Sequence, residues 1–348
     1  MRRRSGWTLA LAAGAVLALV AVVTAQSMNL TGAGATFPFP LYSKWSQVYD
    51  AERGVRVNYQ SIGSGGGIRQ FISKTVDFGA SDGPMTDDQI REAGGRVLHV
   101  PMVAGAVVAV YNVPGVGPGL NFTPDVLSDI FLGKITKWDD PRIAKDNSAV
   151  KLPGASIVVV HRSDGSGTTA IWVNYLSKVS SEWKTKVGEG TSVEWPTGLG
   201  GRGNEGVAGL VKQTPNTLGY VELAYALTNQ MAFGNVRNRA GQFIRPSLST
   251  TTKAMEGALK AIPEDYRIFF TDPDGREAYP VAGFTWILIY GDQRDAAKGK
   301  ALMEFLWWAT HDGQKYGPPL LYASLPKSLV QRIETTLRSV TTQGKAIL

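Results

Sequence analysis

From Leu30 onward the chain alternates short β-branched or aromatic runs with stretches whose apolar residues recur every three or four positions. Such alternation predicts an α/β fold. Leu41, Trp45, Val48 and Tyr49 share one face of a helix that should stop near Gly54. "VRVNYQ" (55–60) predicts a strand, followed through "SIGSGGG" by a helix around 68–75. "VDFGASD" (76–82) predicts a second strand with a polar end, and Thr86 and Gln89 have capping-box spacing for the next helix. "VLHVPMVAGAVVAVYNV" (97–113) and "AGFTWILIY" (282–290) are long runs of strand type. Thr123 and Pro124 read as an N-cap with proline in the first helical turn, and Gly133 as the stop. Leu302, Phe305, Leu306 and Ala309 mark one terminal helix; Leu329, Ile333 and Leu337 mark another.

In mid-chain, "SIVVV" (156–160) predicts a buried strand, and Ile171, Trp172, Tyr175, Leu176 and Val179 recur at helical spacing. Between them stands "HRSDGSGTT" (161–169), with one guanidinium, one carboxylate, two glycines and several hydroxyls ahead of a helix N-terminus. That is the composition of an anion site.

At 348 residues the chain is long for a single core, so two lobes are expected. No linker of low complexity divides it; the chain is expected to cross between lobes along the two long β runs. Arg2, Arg3 and Arg4 precede an apolar run that ends with Val23 and Ala25 at the −3 and −1 positions of a small-residue site. We read residues 1–25 as a secretory signal peptide cleaved after Ala25, in preference to an uncleaved anchor. The formal net charge is +7, of which the leader holds three, leaving a mild excess that suits an anionic ligand. No dense Lys/Arg run interleaved with aromatics points to nucleic acid. With no cysteine there can be no disulfide and no lipid-modified thiol, so a soluble periplasmic protein is expected.

Four loops could meet around an anion: "GAGATFPFP" (32–40), "SIGSGGG" (61–67), "GASDGP" (79–84) and "HRSDGSGTT" (161–169). Helix N-termini leave amides unpaired and carry partial positive charge, and glycine permits close backbone approach. Thr36 and Phe37 offer amides and a hydroxyl, Ser64 a hydroxyl, and Ser166, Gly167 and Thr168 both kinds of donor. Arg162 adds a planar fork suited to tetrahedral oxygens, with Asp164 as its orienting partner. Asp82 is the odd member. A carboxylate facing a dianion repels it unless a proton lies between, and hydrogen phosphate carries one where sulfate does not. Alternatively, Asp82 caps the helix near "PMTDDQ".

"LTGAGATFPFPLYSKW", "VNYQSIGSGGG", "TVDFGASDGPM", "FLGKITKWDDPRIAK", "RSDGSGTT", "EWPTGLGGRGNEGVAG" and "LGYVELAYA" together resemble the periplasmic phosphate-binding proteins of phosphate ABC transporters, the Pst system. The matches run in order from Leu30 to "YASLP" (322–326). The resemblance implies a two-lobed periplasmic-binding-protein fold of type II, with the ligand in the inter-lobe cleft and hinge strands between lobes. It places residues 26–104 and 284–348 in lobe 1 and 105–283 in lobe 2. It implies phosphate contacts at Thr36, Phe37, Ser64, Asp82, Arg162, Ser166, Gly167 and Thr168, with Asp164 behind Arg162. It further implies capture by hinge closure, delivery to a membrane permease, a monomer, and neither metal, cofactor nor catalysis. Two positions depart from the family's pattern: Gly65, where many relatives carry serine, and His161, where a second basic side chain is common. The first of these could loosen the second loop.

Other chemistries fit less well. "GLGGRG" (198–203) satisfies G-x-G-x-x-G, yet Pro196 stands where a buried strand should lead in, and the role of this loop is not legible. His99, His161 and His311 lack metal-ligand spacing. No nucleophile elbow is present, and Trp307 and Trp308 sit beside core positions of their helix. The rival functions are a binding protein for another tetrahedral oxyanion, such as sulfate or molybdate, and an extracytoplasmic phosphatase on the same scaffold.

Overall fold

The computed structural model describes residues 28–348; the signal peptide expected over 1–25 lies outside them. The fold is mixed α/β. Strand Met28–Gly34 pairs in parallel with Val55–Ser61 on one side and with Phe78–Ser81 on the other. Next comes Ala282–Tyr290, antiparallel to Phe78–Ser81 and to the first part of the long strand Val97–Asn112. The second part of that strand, from Val107, leaves Ala282–Tyr290 and pairs with Thr217–Glu222. Val158–Arg162 and then Leu199–Gly201 extend this second sheet in parallel. One continuous strand thus runs through both sheets. It is buried along nearly its whole length, as an uninterrupted β-branched run requires.

Local signals explain most boundaries. Helix Phe39–Arg53 ends on Gly54 in the left-handed conformation (φ 66°). Helix Asp87–Ala93 has its full capping box, Thr86 accepting from the Gln89 amide while Gln89 reaches back. Thr123 caps Pro124–Phe131, and Gly133 follows in left-handed backbone.

Two boundaries differ from expectation. The helix placed near 68–75 occupies Ser64–Ile72, so the triple glycine is its first turn rather than a loop. Glycine disfavours an isolated helix by about 1 kcal/mol per residue, but contact overrides that cost here. A Cβ on Gly67 would lie 2.4 Å from Gly34 Cα, so only glycine lets this helix lie on the first strand. The strand expected at 156–160 is Val158–Arg162, which puts Arg162 at its very end. Among the described residues no helix is long and apolar enough to cross a membrane.

Candidate functional site

The four loops meet: 61–67 bonds directly to 79–84 and 161–169, and Asn204 bridges 32–40 to 161–169. Ser64 heads one helix and Gly167 heads another, Gly167–Val179, whose N-cap is Ser166. Ser64 Oγ accepts the Gly167 amide at 2.9 Å and the Asp82 amide at 3.3 Å. With both lone pairs filled, its proton is left to donate. Ser166 Oγ likewise accepts from the Thr169 amide, while its own N–H is used by Thr191 O at 2.7 Å. Ser166 can therefore offer its hydroxyl but not its amide, a correction to the expectation of both. Thr168 lies in the first turn of its helix, where an amide has no acceptor within the helix.

Three phenols hold the carbonyls of residues 35–37, and two of them aim the amides of Thr36 and Phe37. Tyr59 donates to Ala35 O at 2.7 Å, Tyr225 to Thr36 O at 2.6 Å and Tyr322 to Phe37 O at 2.6 Å. In a trans peptide the N–H points opposite the carbonyl, so the first two bonds turn the Thr36 and Phe37 amides the other way. Pro38, next in line, has no N–H to aim.

Arg162 is buried, and Asp164 takes one edge of its guanidinium through Nε at 2.7 Å and Nη2 at 2.6 Å. Asp164 also accepts the Gly203 amide. Burial alone would raise the Asp164 carboxyl, but the Arg162 bond and charge and the Gly203 amide outweigh it and hold the pKa below the usual range. The remaining nitrogen, Arg162 Nη1, is buried without a partner.

Asp82 is 1% exposed, and neither carboxylate oxygen has a hydrogen-bond partner. Burial pushes its pKa from 3.8 up to about 7, with Thr285, Arg162 and Ser64 pulling the other way. It does not cap a helix; Thr86 fills that role. A buried carboxylate and a buried guanidinium nitrogen, both without a partner and set among hydroxyls that retain a proton to give, are what a small protonated tetrahedral anion would satisfy.

Three contributors were hidden in the sequence. Asn204, in the first turn of helix Gly203–Gln213 just after the loop whose role was not legible, bonds Thr36 Oγ1 at 2.7 Å and Thr168 Oγ1 at 3.1 Å. Tyr225 and Tyr322 sit far along the chain from the carbonyls they hold, and no local pattern announces them. Gly65 does not loosen its loop: its amide donates to Gly165 O at 2.8 Å, and a Cβ there would lie 3.0 Å from Gly165 Cα. His161 stacks on Trp195 with ring centroids 4.8 Å apart.

Residues 20–312 match the model of the PBP superfamily domain. The chain is 46% identical over 321 residues to the phosphate-binding protein PstS of Pasteurella multocida, covering 92% of this chain and 93% of that protein. It is 47% identical over 310 residues to PstS of Xylella fastidiosa, covering 89% and 85%. Among solved structures, a phosphate-binding protein from Stenotrophomonas maltophilia superposes with a TM-score of 0.67 at 18% identity, over 88% of this chain and 93% of that one. The two-lobed architecture is thus shared well beyond detectable sequence kinship. By its length of match and level of identity, the chain belongs to the PstS family of phosphate-binding proteins, within the PBP superfamily.

Proposed function

We propose that this chain captures inorganic phosphate, as the hydrogen phosphate dianion, and hands it to the permease of an ABC importer. One observation carries this reading. The buried, unpartnered Asp82 carboxylate faces a set of amide and hydroxyl donors, together with the free Nη1 of Arg162. Thr36, Phe37, Ser64, Arg162, Ser166 and Thr168 would each supply a proton to a phosphate oxygen, and Asp82 would accept the ligand's own. The Gly167 amide, spent on Ser64 Oγ in this closed arrangement, would turn to the ligand in its place. Sulfate has no proton for Asp82, so it would leave a buried charge unpaired, at a cost of about 1–3 kcal/mol or more.

The mechanism is hinge closure, with lobe 1 comprising 26–104 and 284–348 and lobe 2 comprising 105–283. Donors come from both lobes, so phosphate binds the closed form better and shifts the equilibrium toward it. Gly105, at the proposed crossing, leaves room for the Phe37 ring, which would lie 2.5 Å from a Cβ there. Binding without turnover is favoured because the hydrogen-bond partners of the Ser64 oxygen are backbone N–H groups, none of which can take its proton and make it a nucleophile. Export through the leader and action in the periplasm as a monomer complete the reading.

A thermal-melt screen of phosphate, arsenate, sulfate and molybdate tests it. A ligand that binds only the native state stabilises it by about 2.7 kcal/mol at one hundred times its Kd. Phosphate and arsenate should raise Tm; sulfate and molybdate should not. A sulfate shift equal to that of phosphate at pH 8 would remove Asp82 from its role. Steady release of phosphate from a phosphomonoester by purified protein would favour the phosphatase instead.

A further inference from the structure

Asn204 joins the two sides of the cleft through a carboxamide whose orientation is fixed. Its Oδ1 accepts the Glu222 backbone amide at 2.8 Å. A backbone N–H can only donate, so the amide cannot be flipped, and Nδ2 must face the other way. There its two protons go to Thr36 Oγ1 at 2.7 Å and Thr168 Oγ1 at 3.1 Å. The Asn204 amide also donates to Thr36 Oγ1, at 3.2 Å. Thr36 is therefore left with a hydroxyl that can only donate, and Thr168 is biased the same way. All three residues are buried: Asn204 and Thr168 at 0% exposure and Thr36 at 2%.

We propose that Asn204 is a positioning residue for anion capture, which makes donors of the two threonine hydroxyls and ties the segments carrying them when the cleft is shut. The inference rests on the phosphate-binding reading above and deepens it. A Thr36 hydroxyl that can only donate demands an unprotonated oxygen at its position, and the biased Thr168 hydroxyl favours one at its own. The single proton of hydrogen phosphate is thereby confined to the oxygen at Asp82. Asn204 thus sets where the ligand's hydrogen sits without touching the ligand.

Phosphate Kd by calorimetry at pH 8 tests this in a double-mutant cycle of Asn204→Ala against Thr36→Val/Thr168→Val. Asn204→Ala alone should weaken phosphate by about tenfold to a hundredfold, the cost of undirected buried hydroxyls. Added to the double-valine background it should change Kd by no more than about twofold, because its route to the ligand is already gone. Full loss in both backgrounds would mark a merely structural role and overturn the proposal, as would no loss in the wild type. Asn204→Asp guards against a variant that fails to fold. It keeps the acceptor for Glu222 but offers the threonines an acceptor instead of a donor, so it should bind phosphate more weakly than Asn204→Ala. Binding by Asn204→Asp at wild-type strength would sink the idea. Wild-type protein that ignores phosphate would overturn the function itself, and this inference with it.

Discussion

Gly167 packs so closely on Asp82 that a Cβ built on it would lie 2.6 Å from Asp82 Oδ2 and 2.5 Å from the Asp82 amide nitrogen. The two residues come from segments on opposite sides of the proposed cleft. No hydrogen bond between them is needed; what matters is the absence of a side chain. Gly167→Ala should hold the lobes apart at this point. Overpacking of this kind costs about 1–3 kcal/mol, so phosphate affinity should fall by roughly tenfold to a hundredfold. The ligand-free Tm should move little, and small-angle scattering should lose the compaction that phosphate induces in the wild type.

Asp82 couples binding to pH. Its folded pKa of about 7 lies above the unfolded value, so the neutral carboxyl is the form the closed fold favours. The stability this lends is fully present below about pH 4 and is lost as pH rises through 7. A shift of this size in a buried group corresponds to roughly 4 kcal/mol. Asp82→Asn should therefore raise the ligand-free Tm at pH 8 and leave it nearly unchanged at pH 4. Differential scanning calorimetry at the two pH values checks the sign.

The same titration bears on selectivity. Once protonated, Asp82 becomes a donor and no longer repels an anion that lacks a proton. Wild-type protein should bind sulfate measurably better at pH 5 than at pH 8, and Asp82→Asn should bind it at both. Competition calorimetry against phosphate would show sulfate selectivity independent of pH if Asp82 played no part.

Arg162 contributes through the edge that Asp164 leaves free. Arg162→Ala should weaken phosphate by more than about 2 kcal/mol, since a charge-assisted bond is lost and Asp164 is stranded. Arg162→Lys should not restore it, because an ammonium cannot serve Asp164 and the ligand with two edges of one plane.

Tyr225 and Thr36 belong to different proposed lobes, so their 2.6 Å bond exists only in the closed arrangement. Tyr225→Phe leaves Thr36 O held only by the Phe39 amide and should weaken phosphate by about fivefold, at about 1 kcal/mol for one hydrogen bond. The loss should appear in the dissociation rate, which stopped-flow measurement reads directly.

Much of this was legible in the chain. Capping residues at Thr86 and Thr123, the unbroken β runs and the glycine-bearing loops act locally, and local chemistry is what a single sequence displays. Thus Ser64, Asp82, Arg162 and Thr168 could be named in advance, and the structure gathers them. The start of the helix at Ser64 was missed because its reason is a contact between Gly67 and Gly34, not a propensity. Asn204 was missed for the same kind of reason. Its partners lie 168 and 36 residues away, and the stretch just before it carries the outward form of a nucleotide motif. Tyr225 and Tyr322 read as core aromatics, and only their hydroxyl partners distinguish them.

The strand Val97–Asn112 is a member of both sheets without a break. Neither half of the molecule can melt without taking ladder partners from the other, so heating should give one cooperative transition rather than two. A bend or twist of that ribbon near Gly105 is also a motion both halves must share. Opening is therefore a deformation of the common backbone, and whatever stiffens that short stretch slows release of the cargo.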